Sequence, residues 1–130
     1  MIETGVVVTG NGPIYWHLPE GRTGGSLPDS RALWDVLWAH RREPFLGFAH
    51  SHPGSGVPGP SWTDLTTFSG VELGLGRRLT WWITSSTHMI GLNYEGPDKY
   101  KYGSFVVDGV PEWADKLRVY SNKHTLFITE

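Results

Sequence analysis

The segment from Pro44 to Asp64 constrains the fold more than any other part of the chain. It opens with the apolar run Pro44-Phe45-Leu46-Gly47-Phe48-Ala49, which has the composition of a buried strand. The strand continues through His50-Ser51-His52, and Pro53 ends it because proline cannot donate the next ladder hydrogen bond. After a loop of mostly glycine and proline, Ser61-Trp62-Thr63-Asp64 is typical of a helix start with Ser61 as N-cap. The segment therefore predicts a strand that leads through a loop into a helix.

Three side chains at this junction have the chemistry of metal ligands. His50 and His52 are two residues apart, so a strand sends both imidazoles to the same face. The helix start brings Asp64 to the end of that strand. Zn²⁺ accepts these ligand types, and three protein ligands leave a fourth position for water, as catalytic sites require. A His-x-His pair alone is more often solvated or hydrogen bonded, and Ser-x-x-Asp alone is usually a helix cap, but their order and closeness favour a metal site.

The same loop matches a dinucleotide fingerprint. Residues 54–59, Gly-Ser-Gly-Val-Pro-Gly, fit the pattern G-x-G-x-x-G. That fingerprint requires a helix to begin inside the glycine run, so that its N-terminus meets the pyrophosphate. Pro58 and Pro60 flank the third glycine, and the first helix cap comes only at Ser61. The dinucleotide interpretation is therefore rejected.

Composition excludes several classes of function. The net charge is −2, and the basic residues are scattered, which argues against nucleic acid and against a membrane surface as partners. The chain has no cysteine, so disulfides, thiol catalysis and cysteine zinc sites are excluded. With neither a signal-like N-terminus nor a long apolar run, we expect a cytoplasmic protein.

At 130 residues the chain is expected to form one domain, residues 1–130, with seven Trp, five Tyr and five Phe to supply a core. The pattern predicts an α/β (α+β) fold, a mixed β-sheet flanked by two main helices. Asn11-Gly12 is a strong hairpin signal. The predicted strands are residues 5–9, 14–18, 44–52, 79–84, 88–94, 100–107 and a weak 126–128, and the predicted helices are 28–42, 61–73 and a short 111–120.

These motifs resemble the JAMM (MPN+, or JAB) zinc metalloprotease family. The family pattern is a Glu near the first strand, then His-x-His-Pro, then Ser-x-x-Asp, and here Glu3-Thr4-Gly5, His50-Ser51-His52-Pro53 and Ser61-Trp62-Thr63-Asp64 match it. The resemblance covers about residues 1–95. Two features depart from it: the gap between Pro53 and Ser61 is seven residues, one more than in many members, and no helix precedes the first strand. We therefore expect either a minimal bacterial or phage-like form or a chain trimmed at its N-terminus, with a partner or dimer mate as one way to cover the sheet face.

The resemblance implies a site and a mechanism. His50, His52 and Asp64 would hold zinc with water as the fourth ligand, in the JAMM/MPN (cytidine-deaminase-like) architecture. Glu3 would be the general base, and Ser61 would donate a hydrogen bond to the oxyanion. By position alone Glu3 is more simply a solvated residue at a frayed terminus, and Glu20, Glu43 and Glu72 are weaker candidates for the base.

The function implied is zinc-dependent hydrolysis of a peptide or isopeptide bond, with a ubiquitin-like protein or a peptide as substrate. Two alternatives remain: a non-catalytic MPN scaffold that binds partners, and a phage or cell-wall peptidase that cuts short peptides. Trp62 is expected either in the core or in the wall of a substrate groove. The remaining histidines lack ligand spacing and are expected at the surface or the core edge: His17, His40, His88 and His124.

Overall fold

A six-stranded mixed sheet forms the centre of the structure, a computed structural model that describes residues 1–122. The strand order is β2-β1-β3-β4-β5-β6; β3 and β4 are parallel, and every other neighbouring pair is antiparallel. This confirms the mixed α and β class. The strands are β1 (Gly5–Thr9), β2 (Gly12–His17), β3 (Leu46–Ser51), β4 (Thr80–Thr84), β5 (Met89–Tyr94) and β6 (Tyr102–Val106), and the helices are α1 (Arg31–Ala39), α2 (Trp62–Leu75) and α3 (Glu112–Asn122).

Every residue of β3 is buried, because helices cover both faces of the sheet there. Alternate side chains enter two separate cores. Phe48 belongs to the larger core, together with residues of α1 and α2. Ala49 belongs to the smaller one, where it meets Leu117 of α3. The face that carries Phe48 also carries His50, so the histidines are on the α2 side of the sheet.

The third helix corrects the prediction of two main helices. α3 has 11 residues against nine in α1, and Leu117 is fully buried against Val6, Val8 and Ala49. α3 thus covers the second face of the sheet at β1 and β3. This part of the face is therefore covered within the chain, and a partner or dimer mate elsewhere on the sheet stays a prediction. None of the helices within residues 1–122 is both long enough and apolar enough to cross a membrane.

Several boundaries differ from the sequence prediction. The two-residue hairpin loop is Gly10-Asn11, one residue before the predicted turn, since Thr9 pairs with Gly12. α1 ends at Ala39 rather than near Arg42, because His40 leaves the helical conformation and caps the helix with its N–H on the Val36 carbonyl. α2 continues past Gly74 and ends at Gly76, whose φ of 72° is the left-handed conformation that glycine adopts easily. The weak strand predicted at 126–128 lies outside the described residues.

A buried carboxylate ties the end of α2 to the sheet. Glu72 is 3% exposed and accepts hydrogen bonds from the Leu79 N–H at 2.9 Å, the Trp81 Nε1–H at 3.0 Å and Arg78 Nη1 at 3.1 Å. The Tyr102 hydroxyl donates to it as well, and burial together with the Glu72 charge raises the pKa of that hydroxyl. Both carboxylate oxygens are engaged at the opposite end of α2 from Asp64. Glu72 is therefore a structural residue, and the suggestion that it could be the base is wrong.

We expect Glu72→Gln to lower the free energy of unfolding by at least about 2 kcal/mol, because its NH₂ group would face two of these donors whichever way the amide is turned. Urea denaturation measures the change. Glu20→Gln is the control, since Glu20 is exposed and its substitution should change stability by less than about 0.5 kcal/mol. Equal stability of the two variants would contradict a structural role for the Glu72 network.

Candidate metal centre

Strand pairing brings the N-terminus to the histidines. β1 is antiparallel to β3 with Gly5 opposite His50, and the Ser51 N–H donates to the Thr4 carbonyl at 3.0 Å. The same register, continued by two residues, places Glu3 beside His52 on the same face. Glycine is required at position 5 of β1, because a Cβ on this residue would lie 2.3 Å from the Phe48 ring.

The connection from β3 to α2 brings Asp64 to the two histidines. β3 and β4 are parallel, so the chain crosses over through α2, which begins near the end of β3. Asp64 lies in the first turn of α2 and faces back toward the strand end. His50 Nε2 is 3.2 Å from Asp64 Oδ1, His52 Nε2 is 3.1 Å from Asp64 Oδ2, and the two Nε2 atoms are 3.0 Å apart. The structure thus brings together the three residues that the sequence predicts as ligands.

The three contacts among His50, His52 and Asp64 cannot all be hydrogen bonds. Burial opposes a charge on Asp64, but hydrogen bonds from His50 and His52 outweigh it and lower the pKa of that carboxyl, so Asp64 is ionised. An ionised carboxylate only accepts, so both Nε2 atoms would have to donate to it. Two N–H groups would then face each other across 3.0 Å. With both rings protonated on Nδ1 instead, the two hydrogen bonds to Asp64 are lost and every facing atom carries a lone pair, so a cation among these atoms would take over the part of those hydrogen bonds in keeping Asp64 ionised.

The spacing also fits a tetrahedral metal ion. Zinc bonds of about 2.0–2.1 Å to nitrogen and oxygen place neighbouring ligand atoms about 3.3 Å apart in a tetrahedron. The separation of 3.0 Å between the His50 and His52 Nε2 atoms is close to that edge length, and Asp64 approaches each histidine with a different oxygen, Oδ1 at 3.2 Å from His50 and Oδ2 at 3.1 Å from His52. The donors are imidazole nitrogen and carboxylate oxygen, both of which zinc accepts. The residues present therefore fit the ion.

Glu3 is the second carboxylate at the site. It is 9% exposed, and one of its oxygens lies within 4.8 Å of a ring nitrogen of His50 and of His52. Either Glu3 or Asp64 could by type be the third ligand, but Asp64 makes the contacts of 3.1 and 3.2 Å to the two histidines. Burial raises the pKa of Glu3, while His50 and His52 act to lower it. Glu3 therefore remains available for proton transfer beside the ligand set.

The backbone around Glu3 is fixed on both sides, so the expectation of a frayed, solvated terminus is wrong. The Ile2 N–H donates to the Ser121 carbonyl at 2.8 Å, and the Ser121 hydroxyl donates back to the Ile2 carbonyl at 2.6 Å. The Glu3 N–H donates to the Thr23 carbonyl at 2.9 Å.

Ser51, which lies between the two histidines in the sequence, also holds the backbone next to Glu3. The Thr4 N–H donates to Ser51 Oγ at 3.0 Å, and Ser51 Oγ also contacts Ser121 Oγ on α3. Strand alternation predicts that Ser51 faces away from the histidines. Nothing in the sequence identifies Ser121 as its partner, because that contact spans 70 residues.

Ser61 and Asp64 form a reciprocal cap. The Ser61 Oγ accepts the Asp64 N–H at 3.0 Å, and Asp64 Oδ2 accepts the Ser61 N–H at 2.9 Å. The predicted N-cap is confirmed. Because Ser61 Oγ acts as acceptor in this cap, its own proton remains free to be donated elsewhere. The cap also holds the Asp64 carboxylate in the orientation that meets the histidines.

The structure excludes one of the two expectations for Trp62, a place in the core, and a place in the wall of a substrate groove stays a prediction. Its side chain is 65% exposed, so it is not in the core. Its ring packs edge-on against Tyr100 at 4.8 Å between centroids, and it is not among the residues that line the cavity at the site. Glu20 and Glu43 are also absent from that lining, so Glu3 is the only one of the four candidate glutamates that lines the cavity with the histidines. His124 lies outside the described residues.

A cavity of about 650 Å³ extends from these residues into the space between α1, α2 and the sheet. Glu3, His50, His52, Ser61 and Asp64 line one part of it, and the rest is lined mostly by apolar side chains, together with Ser26, Asp29, Thr63 and Thr67. His17 lines it too, which the sequence did not indicate. This histidine is buried; its Nε2–H donates to the Pro28 carbonyl at 2.7 Å, and Nδ1 has no hydrogen-bond partner within residues 1–122.

Comparison with known proteins adds no assignment. The chain matches no protein-family model, and it matches no curated protein. The resemblance to JAMM proteases therefore rests on the motif residues alone.

Proposed function

We propose that the protein is a zinc-dependent hydrolase of peptide or isopeptide bonds with the JAMM architecture. One observation carries the proposal: two imidazole nitrogens and a capped carboxylate converge within 3.2 Å of one another, beside a second, buried carboxylate. A ligand set with an adjacent base is what metal-assisted hydrolysis requires.

His50, His52 and Asp64 would hold the ion. A bound zinc lowers the pKa of its water from about 15.7 to about 7 and polarises a carbonyl oxygen. Asp64 is kept in place by the Ser61 backbone, and His50 is only 4% exposed. The chain's own contribution is thus a preformed set of acceptors at a rigid junction of strand and helix.

Glu3 would be the general base. Its carboxylate would accept a proton from the attacking water and return it to the nitrogen of the leaving amine. Burial raises its pKa and makes it a stronger base than an exposed glutamate. The hydrogen bonds of Ile2, Glu3 and Thr4 to their neighbours keep the carboxylate at the site.

Ser61 would stabilise the charge that develops on the carbonyl oxygen. Its hydroxyl proton is not used in the helix cap, and the residue is exposed at the cavity. A hydroxyl donor aimed at the developing oxyanion is the usual device for this purpose.

For the substrate, the resemblance favours a ubiquitin-like protein whose conjugates are cut or whose tail is processed. A peptidase for short peptides is the alternative within the same chemistry. The scaffold alternative is less favoured, because a chain that only binds partners has no need for the convergence of His50, His52, Asp64 and Glu3.

We expect Glu3→Gln to bind zinc normally and to hydrolyse substrate about 10²–10⁴ times more slowly, because an amide cannot take up the proton. Metal content and the turnover of a fluorogenic ubiquitin-like or peptide substrate are measured on the same sample. The matched control is Glu20→Gln, since Glu20 is exposed and outside the cavity. Hydrolysis by Glu3→Gln at the wild-type rate would show that Glu3 is not the base.

Variants of Ser61 separate its two roles. Ser61→Ala should lose about 0.5–2 kcal/mol of stability with the cap, and should lose about 10²–10³ in kcat with the oxyanion donor. Ser61→Asn keeps a capping oxygen but has no hydroxyl, so it should melt like the wild type and still be slow. Melting curves and kcat are compared across the three proteins. If Ser61→Ala melts earlier but turns over normally, Ser61 is only a cap.

A further inference from the structure

The cavity has an apolar part that the proposed hydrolysis does not use. We name this part the apolar lobe; Leu27, Leu33, Trp34, Leu37, Phe48 and Val71 form it. It is continuous with the candidate metal centre, because Asp64, Phe68 and Val71 lie at successive turns on one face of α2. The candidate metal centre and the apolar lobe are therefore parts of the same cavity.

The size and lining of the cavity are those of a binding pocket. Its volume of about 650 Å³ lies within the range of about 300–1,000 Å³ that is typical of ligand sites. The Trp34 Nε1–H donates to Asp29 Oδ2 at 2.6 Å, so the polar edge of the indole is already satisfied. Leu27, Leu33, Trp34 and Val71 are only partly buried, which leaves apolar surface for a ligand to cover.

The charges of the residues that line the cavity restrict which side chains of a ligand can bind there. The residues that line the cavity include Glu3, Asp29 and Asp64 but no lysine or arginine. An acidic side chain in the apolar lobe would meet no lysine or arginine to pair with, and burying its charge unpaired is costly. An apolar side chain has no such cost and gains from leaving water.

We propose that the apolar lobe is a specificity pocket that takes a large aliphatic or aromatic side chain from a residue flanking the cleaved bond. This inference rests on the proposed hydrolysis and narrows its substrate class. A substrate ending in Gly-Gly would leave the lobe empty at those positions. A peptide with Leu, Met or Phe next to the bond would fill it while its carbonyl lies at the candidate metal centre.

Cleavage of matched peptides tests the pocket. Two series of peptides are compared, one varied at the residue before the cleaved bond and one at the residue after it, and the varied residue is Gly, Leu, Phe or Asp. In one of the two series, peptides with Leu or Phe should exceed the Gly peptide in kcat/KM by about tenfold or more, the scale of discrimination in apolar pockets. In that series the Asp peptide should be cleaved more slowly than the Gly peptide. Equal rates for Gly and Leu on both sides would overturn the proposal.

Filling the lobe should remove the preference. In Val71→Phe the ratio of Leu to Gly substrates should fall toward one, whereas Leu73→Phe should keep it, because Leu73 lies on the same helix but is 77% exposed and outside the cavity. Leu33→Phe, from α1, replaces Val71→Phe if that variant does not fold. An unchanged ratio in a folded, filled variant contradicts the pocket.

A binding measurement distinguishes failure of this inference from failure of the proposed function. N-acetyl-leucinamide should shift the NMR signal of the Trp34 indole N–H, which is assigned by its loss in Trp34→Phe; N-acetyl-glycinamide should not, and Val71→Phe should abolish the shift. A shift without cleavage of any peptide would retain the pocket and reject hydrolysis. Cleavage without side-chain preference and without a shift would reject the pocket and retain hydrolysis.

Discussion

Backbone pairing between β1 and β3 decides where the candidate catalytic groups lie. The antiparallel register with Gly5 opposite His50 puts Glu3 on the face of His50 and His52. A slip of one residue would send the carboxylate to the other face of the sheet. The buried valines of β1 and the α3 contacts of Ile2 and Ser51 fix this register from both ends. The site therefore depends on α3, although no residue of that helix lines the cavity.

The Asp64 carboxylate has two sets of contacts. It accepts the Ser61 N–H of the helix cap, and it contacts both histidines of the candidate metal centre. In most helices such a capping carboxylate faces solvent, whereas here the β3–α2 connection turns it toward the strand end. The cost of holding two imidazoles and a carboxylate with their lone pairs together is offset if a cation binds among them. The three-way contact is thus a geometric reason, beside the motif residues, to propose a metal.

Local signals carried much of the prediction. The cap at Ser61, the buried strand before His50 and the rejection of the dinucleotide loop follow from short segments, and the helix does begin after the glycine run. Long-range contacts were not predictable in the same way. The sequence alone leaves Glu72 as a candidate base, whereas its hydrogen bonds with Leu79, Trp81 and Tyr102 identify it as a structural residue. Trp62 could not be placed because Tyr100, its partner, is 38 residues away in the chain. The role of α3 was underestimated, since its weak apolar pattern gave no sign that Leu117 fills the second core.

The central claim is that His50, His52 and Asp64 bind zinc in a four-coordinate site. X-ray absorption at the zinc edge, on protein purified without chelator, tests it most directly. The account predicts one zinc per chain with four nitrogen or oxygen ligands at about 2.0–2.1 Å, an imidazole signature and no sulfur. His88→Ala, a change at an exposed histidine, should leave the spectrum unchanged, and combined His50→Ala and His52→Ala should abolish it. Zinc retained in full by the double variant, or a six-coordinate shell of oxygen alone in the wild type, would contradict the account.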